Sequence, residues 1–192
     1  MGMRTRIFPL LTLASVFALT SMMEVRAFGP YTNPYNGVAV VKTGKKQGSL
    51  SAVANATTTD GTNATVSLAG DGPKDTSVSV QLTFDSNGKS SLTLMAKVLA
   101  DPSKTVNGLP IPVGKKVVVK LKATGTYTVV DSTTTTFVLS GNKGHNGGSN
   151  LTGTLVADTS GNLSLTFQSG FKQFVPGLGR RIQLSFTGTT SL

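Results

Sequence analysis

The side chains able to do chemistry are few. The sequence holds 1 His, His145, no Cys, no Trp, and 8 acidic residues of which Glu24 is the single glutamate. A hydroxyl nucleophile needs a neighbouring base to take its proton. The one imidazole sits in the run Gly141 to Asn150, among glycines and asparagines with no apolar neighbours to hold its ring, so it reads as a solvated loop residue. One imidazole without a thiol cannot complete a tetrahedral transition-metal site. Calcium would need clustered oxygen ligands. Asp71-Gly72-Pro73-Lys74-Asp75 offers some, but without the dense carboxylate spacing of a calcium loop. Most of the Asp residues stand beside Gly, Asn, Pro or Ser, where a short carboxylate bonds its own backbone and starts a turn. A hydrolase built on two Asp is the catalytic alternative, and it requires two of these carboxylates to converge in a cleft. The reading from these residues is a protein that is not an enzyme and uses no cofactor or metal.

The cations are more informative. Over 116–124, Lys116, Val118, Lys120 and Lys122 fall on one side of an extended chain and Val117, Val119, Leu121 and Ala123 on the other. Side chains two apart then stand roughly 7 Å from each other in a positive stripe. Lys45, Lys46, Lys172, Arg180 and Arg181 add to a field that attracts an acidic polymer. Lysines on a strand also keep it soluble and discourage edge pairing, which is the plainer account of the same stripe. The candidate binding surface is Lys116, Lys120, Lys122, Phe171, Phe174, Arg180 and Arg181, and the expected partner is an anionic polysaccharide or cell-envelope surface. Specific nucleic-acid recognition is not expected, because aromatic residues are not interleaved with the cations. A Thr array such as Thr133 to Thr136 could face a repeating surface of sugar or ice, although Thr simply combines β propensity with a wettable hydroxyl. Asn55, Asn63, Asn150 and Asn162 head Asn-x-Ser/Thr sequons, glycan acceptors only in a eukaryotic host.

The elements that must position these groups come from the hydropathy pattern. Residues 1–27 carry Arg4 and Arg6, an apolar run from Ile7 to Met23 and the ending Val25-Arg26-Ala27, a secretory leader with cleavage expected after Ala27. The chain of 192 residues has a formal charge of +10, and losing the leader takes away Arg4, Arg6, Arg26 and Glu24, which leaves +8. Residues 28–192 read as a single domain, secreted or periplasmic. Alternation with period two dominates it, the mark of strands with one buried and one wet face. Val78 to Phe84 turns at Asp85-Ser86-Asn87-Gly88 into Leu92 to Val98. Leu151 to Ala157 turns at Asp158 to Asn162 into Leu163 to Phe167. Tyr127 and Val129 turn at Asp131-Ser132-Thr133 into Phe137 and Leu139. Further strands are expected at 37–42, 49–56, 63–69, 116–124 and 181–187. These make about eleven strands in an antiparallel meander, an all-β sandwich or an up-and-down barrel.

Three long connections, 99–114, 141–150 and 170–180, are where binding residues are expected. The main functional expectation is an exported, non-catalytic module with an adhesive, structural or surface-binding role. A carrier of a small apolar ligand inside a barrel, with Phe171, Phe174 and the N-terminal tyrosines as a lid, is the alternative. A small outer-membrane barrel is a third, set back by short strands and scarce aromatics.

Overall fold

Alternation carried through a whole chain leaves every strand with one apolar face, and those faces can be buried together by curling the sheet on itself. That is the solution seen in the structure, a computed structural model that describes residues 28–43, 46–58, 63–100, 102–103, 105–141, 150–169 and 182–190. In chain order the elements are β1 (Tyr35–Thr43), β2 (Lys46–Thr58), β3 (Ala64–Gly72), a 3-10 turn (Pro73–Asp75), β4 (Thr76–Phe84) and β5 (Lys89–Leu99). They continue as β6 (Thr105–Val106), β7 (Leu109–Pro110), β8 (Lys116–Val129), β9 (Thr134–Gly141), β10 (Asn150–Ala157), β11 (Asn162–Ser169) and β12 (Ile182–Thr190). Ten strands close a barrel in the order β1-β12-β11-β10-β9-β8-β5-β4-β3-β2, while β6 and β7 form a separate two-stranded pair. Each strand pairs antiparallel with its neighbour in sequence, apart from the interposed β6–β7 pair. The seam is the β1–β12 ladder from Tyr35 opposite Thr190 to Thr43 opposite Ile182. The barrel, not the sandwich, is thus the form the meander takes.

The strand count differs from expectation in two places: the connection 99–114, expected as a loop, contains the short pair β6–β7, and two expected strands are one. Residues 116–124 and 127–129 belong to a single strand, β8, because Gly125 between them pairs with Ser90 on one side and Leu139 on the other. Strands of 8 to 14 residues also remove the argument from strand length against a membrane barrel.

The interior is one continuous apolar cluster. Small residues on β1 to β3, including Ala39, Ala52, Ala54 and Ala56, share it with Phe84, Phe137, Phe167 and Phe186 from β4, β9, β11 and β12. Ala39 lies directly opposite Phe186, and Gly153 lies opposite both Phe137 and Phe167. A Cβ at Gly153 would overlap the Phe137 ring, so large and small positions interlock. The outward positions of the same strands are Ser, Thr, Gln, Asn and Lys with scattered Val. Within the Thr run, Thr134 and Thr136 face outward whereas Thr135 is buried, so the run is not one flat array.

The connections differ in range between the two ends: one end has turns of similar, short length, while the other holds both the tightest, after Thr43 and Gly72, and the three longest, after Leu99, Gly141 and Ser169. The turns after Phe84, Val129 and Ala157 are short and lie at one end, with the segment that leads into Tyr35. The connections after Thr43, Leu99, Gly141 and Ser169 leave from the other end. At the short-turn end, Asp85 Oδ1 accepts from the backbone N–H of Asn87 and Lys89, both at 2.9 Å, and Asp158 Oδ1 accepts from Ser160 and Asn162 at 2.9 Å. Gly88 and Gly161 take φ of +75° and +81°, and Asn87 does not share the left-handed region with Gly88. Asp131 Oδ1 accepts from Thr133 N, Thr133 Oγ1 and Thr134 N, all at 2.8 Å. These carboxylates are engaged in their own turns.

The N-terminal arm closes this end. Phe28 packs on Phe84 and Tyr127 with ring centroids 5.2 and 5.3 Å away, and Phe84 meets Phe137 edge-on at 6.1 Å. Tyr127 Oη donates to Asp85 O at 2.6 Å, and Tyr35 Oη accepts from Thr32 N at 2.8 Å. Asn33 exchanges side-chain hydrogen bonds with both backbone groups of Ala56. Burial pushes the Tyr31 phenol well above its ordinary pKa, with the neighbouring Tyr35 adding to the rise.

Candidate binding surfaces

The lysine stripe is real and its geometry is set by β8. Val119, Leu121 and Ala123 are buried in the barrel, which forces Lys120 and Lys122 to the outside. Next to them on β5, Met95 lies opposite Lys120 and Thr93 opposite Lys122, while Lys97 lies opposite Val118. Lys116 behaves differently from the other two. It is half-buried, and its ammonium sits 2.6 Å from Asp75 Oδ2, an oxygen that Lys97 also reaches at 2.7 Å. The hydrogen bond from Lys116, then that from Lys97, holds the exposed Asp75 carboxyl down at about 2. Lys116 is therefore part of a three-residue ion cluster at the loop end of the wall, and Lys120 and Lys122 are the two of the predicted trio that stand open to solvent. Lys97 was missed from the sequence. Its outward side was readable from the alternation of Ser91, Thr93 and Met95, but its place beside Lys116 depends on the β5–β8 register across the long 99–116 connection.

Phe171, Phe174, Arg180 and Arg181 lie outside the described residues, as do Lys45, Lys172, His145 and the leader. The ends that flank 170–181, Ser169 and Ile182, are at the loop end of the barrel, whereas Tyr31 and Tyr35 belong to the closed end. Of the sequons, Asn55, Asn150 and Asn162 are exposed; Asn162 donates to Asp158 Oδ2 at 2.8 Å, and Asn63 accepts from Ser86 N at 2.9 Å.

Two concavities stand out among the described residues. One is an outer groove of about 850 Å³ across β9, β10, β11, β12 and β1. Its rows run straight across the ladders, with Thr136, Thr154, Thr166 and Ser185 side by side in one and Thr152, Gln168 and Gln183 in the next. No charged residue occurs on β9, β10, β11 or β12, and the groove's one charged lining residue is Lys42 on β1, opposite Gln183, whereas β5 and β8 carry five lysines. The other concavity, about 510 Å³, opens at the loop end of the barrel. Val41, Leu50, Val98 and Ala100 line it within, and Pro73, Lys74, Lys97 and Val113 stand at its rim. There Lys74 and Asp75 are two consecutive non-glycine residues in the left-handed region, with φ of 55° and 60°. Such conformations persist where surrounding contacts over-determine them. Here Thr76 Oγ1 donates to Pro73 O at 2.9 Å while two ammonium groups hold Asp75.

Comparisons with protein-family models, with curated proteins and with solved structures found no match to this chain.

Proposed function

We propose that the chain is an exported, non-catalytic binding module whose cationic wall holds an anionic polysaccharide or cell-envelope polymer. The observation that carries this reading is the asymmetry of charge around the barrel. Lys89, Lys97, Lys116, Lys120 and Lys122 all fall on β5 and β8, and the four strands from β9 to β12 have no charge at all. Lysines needed only for solubility have no reason to gather on two adjacent strands. A one-sided field instead steers and orients a polyanion along one face. The outward Ser, Thr, Gln and Asn positions favour water outside the barrel, opposite in polarity to the apolar belt of a lipid-facing barrel. Asp85, Asp131 and Asp158, each engaged in its own turn, favour a binding role over an Asp-based hydrolase.

Chromatography on immobilised polygalacturonate tests the reading. The chain without its leader is expected to be retained at low salt and released as salt screens the wall. Lys120→Glu with Lys122→Glu should abolish retention. Gln168→Glu with Gln183→Glu, which adds two negative charges to the uncharged strands β11 and β12, should weaken it far less. Equal loss from both pairs would show that net charge alone matters and would overturn the proposal, as would absence of retention at low salt.

A further inference from the structure

We infer that the cavity at the loop end of the barrel is a binding site for a single-chain anionic amphiphile of the fatty-acid kind, a function separate from polymer binding on the β5–β8 wall. A volume of about 510 Å³ is within the range of small-molecule sites, and its depth is apolar, formed by Val41, Leu50, Val98 and Ala100. The rim has the opposite character. Lys74 and Lys97 line the cavity, and Lys97 shares the single carboxylate of Asp75 with Lys116 beside it on β8, so the lysines at this edge outnumber its acid and leave an excess of positive charge.

The two ion pairs fix Lys97 and Lys116 in place. The left-handed turn, stabilised through Thr76, sets Lys74 at the rim of the opening. A ligand with an apolar tail and a carboxylate or sulfate head matches both halves, the tail displacing water from the hydrophobic depth and the head meeting the ammonium rim. The outermost part of the same mouth is also apolar. Val113 is 89% exposed at the cavity edge, far more than any apolar residue described on the barrel strands. Such a side chain is suited to receive an alkyl chain arriving from water. Gly48, on the inward side of β2, leaves the cavity its width: a Cβ built there meets nothing within 4 Å.

Titration calorimetry of the leader-free chain with octanoate, decanoate and dodecanoate below their micellar concentrations tests the assignment. Affinity should rise about fourfold per added methylene, the factor expected for burying each group. Decyltrimethylammonium, with the same tail and the opposite charge, should bind at least about tenfold more weakly than decanoate. Lys74→Glu, an exposed substitution, should weaken decanoate by about tenfold and leave decanol unchanged. Gly48→Phe should fill the cavity and remove binding of all three carboxylates while the thermal midpoint holds. Lack of any heat with the three carboxylates, equal affinity for the cationic analogue, or decanoate binding unaffected by Lys74→Glu would each overturn the assignment. None of these outcomes bears on retention by polygalacturonate, which reads Lys120 and Lys122.

Discussion

The two ends of the barrel are built on different principles. One is closed by short turns in which Asp85, Asp131 and Asp158 satisfy the backbone, and under them Phe28, Phe84, Tyr127 and Phe137 make a connected aromatic group. The other has the three longest connections alongside the two tightest, a cavity, a left-handed turn and an exposed ion cluster. The same ten strands feed both. The closed end devotes its side chains to packing and hydrogen bonding, while the open end leaves apolar and cationic groups without full cover. That division is the one expected when a rigid framework bears the stability and loops at one end bear recognition.

The sharpest way to break the comparison is to remove one aromatic ring from the closed end. Phe84→Ala takes contacts away from Phe28, Tyr127 and Phe137 and should cost about 3–5 kcal/mol in denaturant unfolding. Val113→Ala at the open end should change stability by less than about 0.5 kcal/mol. Similar losses from the two would show that the ends do not differ as described. A second substitution probes the arm that covers the closed end. A Cβ at Gly29 would lie 2.9 Å from Ala157 O and 3.1 Å from Ser132 O, both backbone atoms that cannot swing aside. Gly29→Val should therefore cost about 1–3 kcal/mol and alter the near-ultraviolet circular dichroism of the tyrosines.

The open end yields the opposite sign. Lys74 holds a left-handed backbone that glycine adopts without penalty, so Lys74→Gly should raise stability by about 1 kcal/mol, measured by denaturant midpoint, while weakening decanoate binding. The smallest effects are in pH. At the open end Asp75, held at about 2, contributes stability that is present above the ordinary value of 3.8 and lost as pH falls toward 2. Asp131 and Asp158 are lowered too, chiefly by the side chains of Thr133 and Asn162, and act in the same direction. Melting temperature should therefore decline on acidification below 3.8, and Asp75→Asn should flatten the decline. At the closed end the raised Tyr31 holds its proton when folded, as does Tyr127, so stability should decline as pH rises past the ordinary value of 10.0, and Tyr31→Phe should lessen that decline.

Much of this was readable before folding. The alternation of Val78, Val80, Leu82 and Phe84 with Ser79, Gln81 and Thr83 specified which face each strand buries, and the Asp-to-Gly turns located the hairpins. The outward placement of Lys120 and Lys122 follows from the same period. Gly125 misled, because a lone glycine between two β patterns looks like a break, yet ladder bonds on both sides carry β8 straight through it. The partners of Lys116 were hidden for another reason. Asp75 is 41 residues away and Lys97 lies across a long connection, so only closure of the sheet brings them together.

What the linear pattern determined by itself was the strand class, the inward set of each strand and the chemistry of its tight turns, since all three depend on neighbours within a few residues. Tertiary structure alone decided that the sheet closes into a barrel rather than splitting into two layers, that the arm and the long connections fall at opposite ends, and that charge collects on one wall. Those depend on register and ring closure, which couple residues far apart in the chain and leave no local trace in its order.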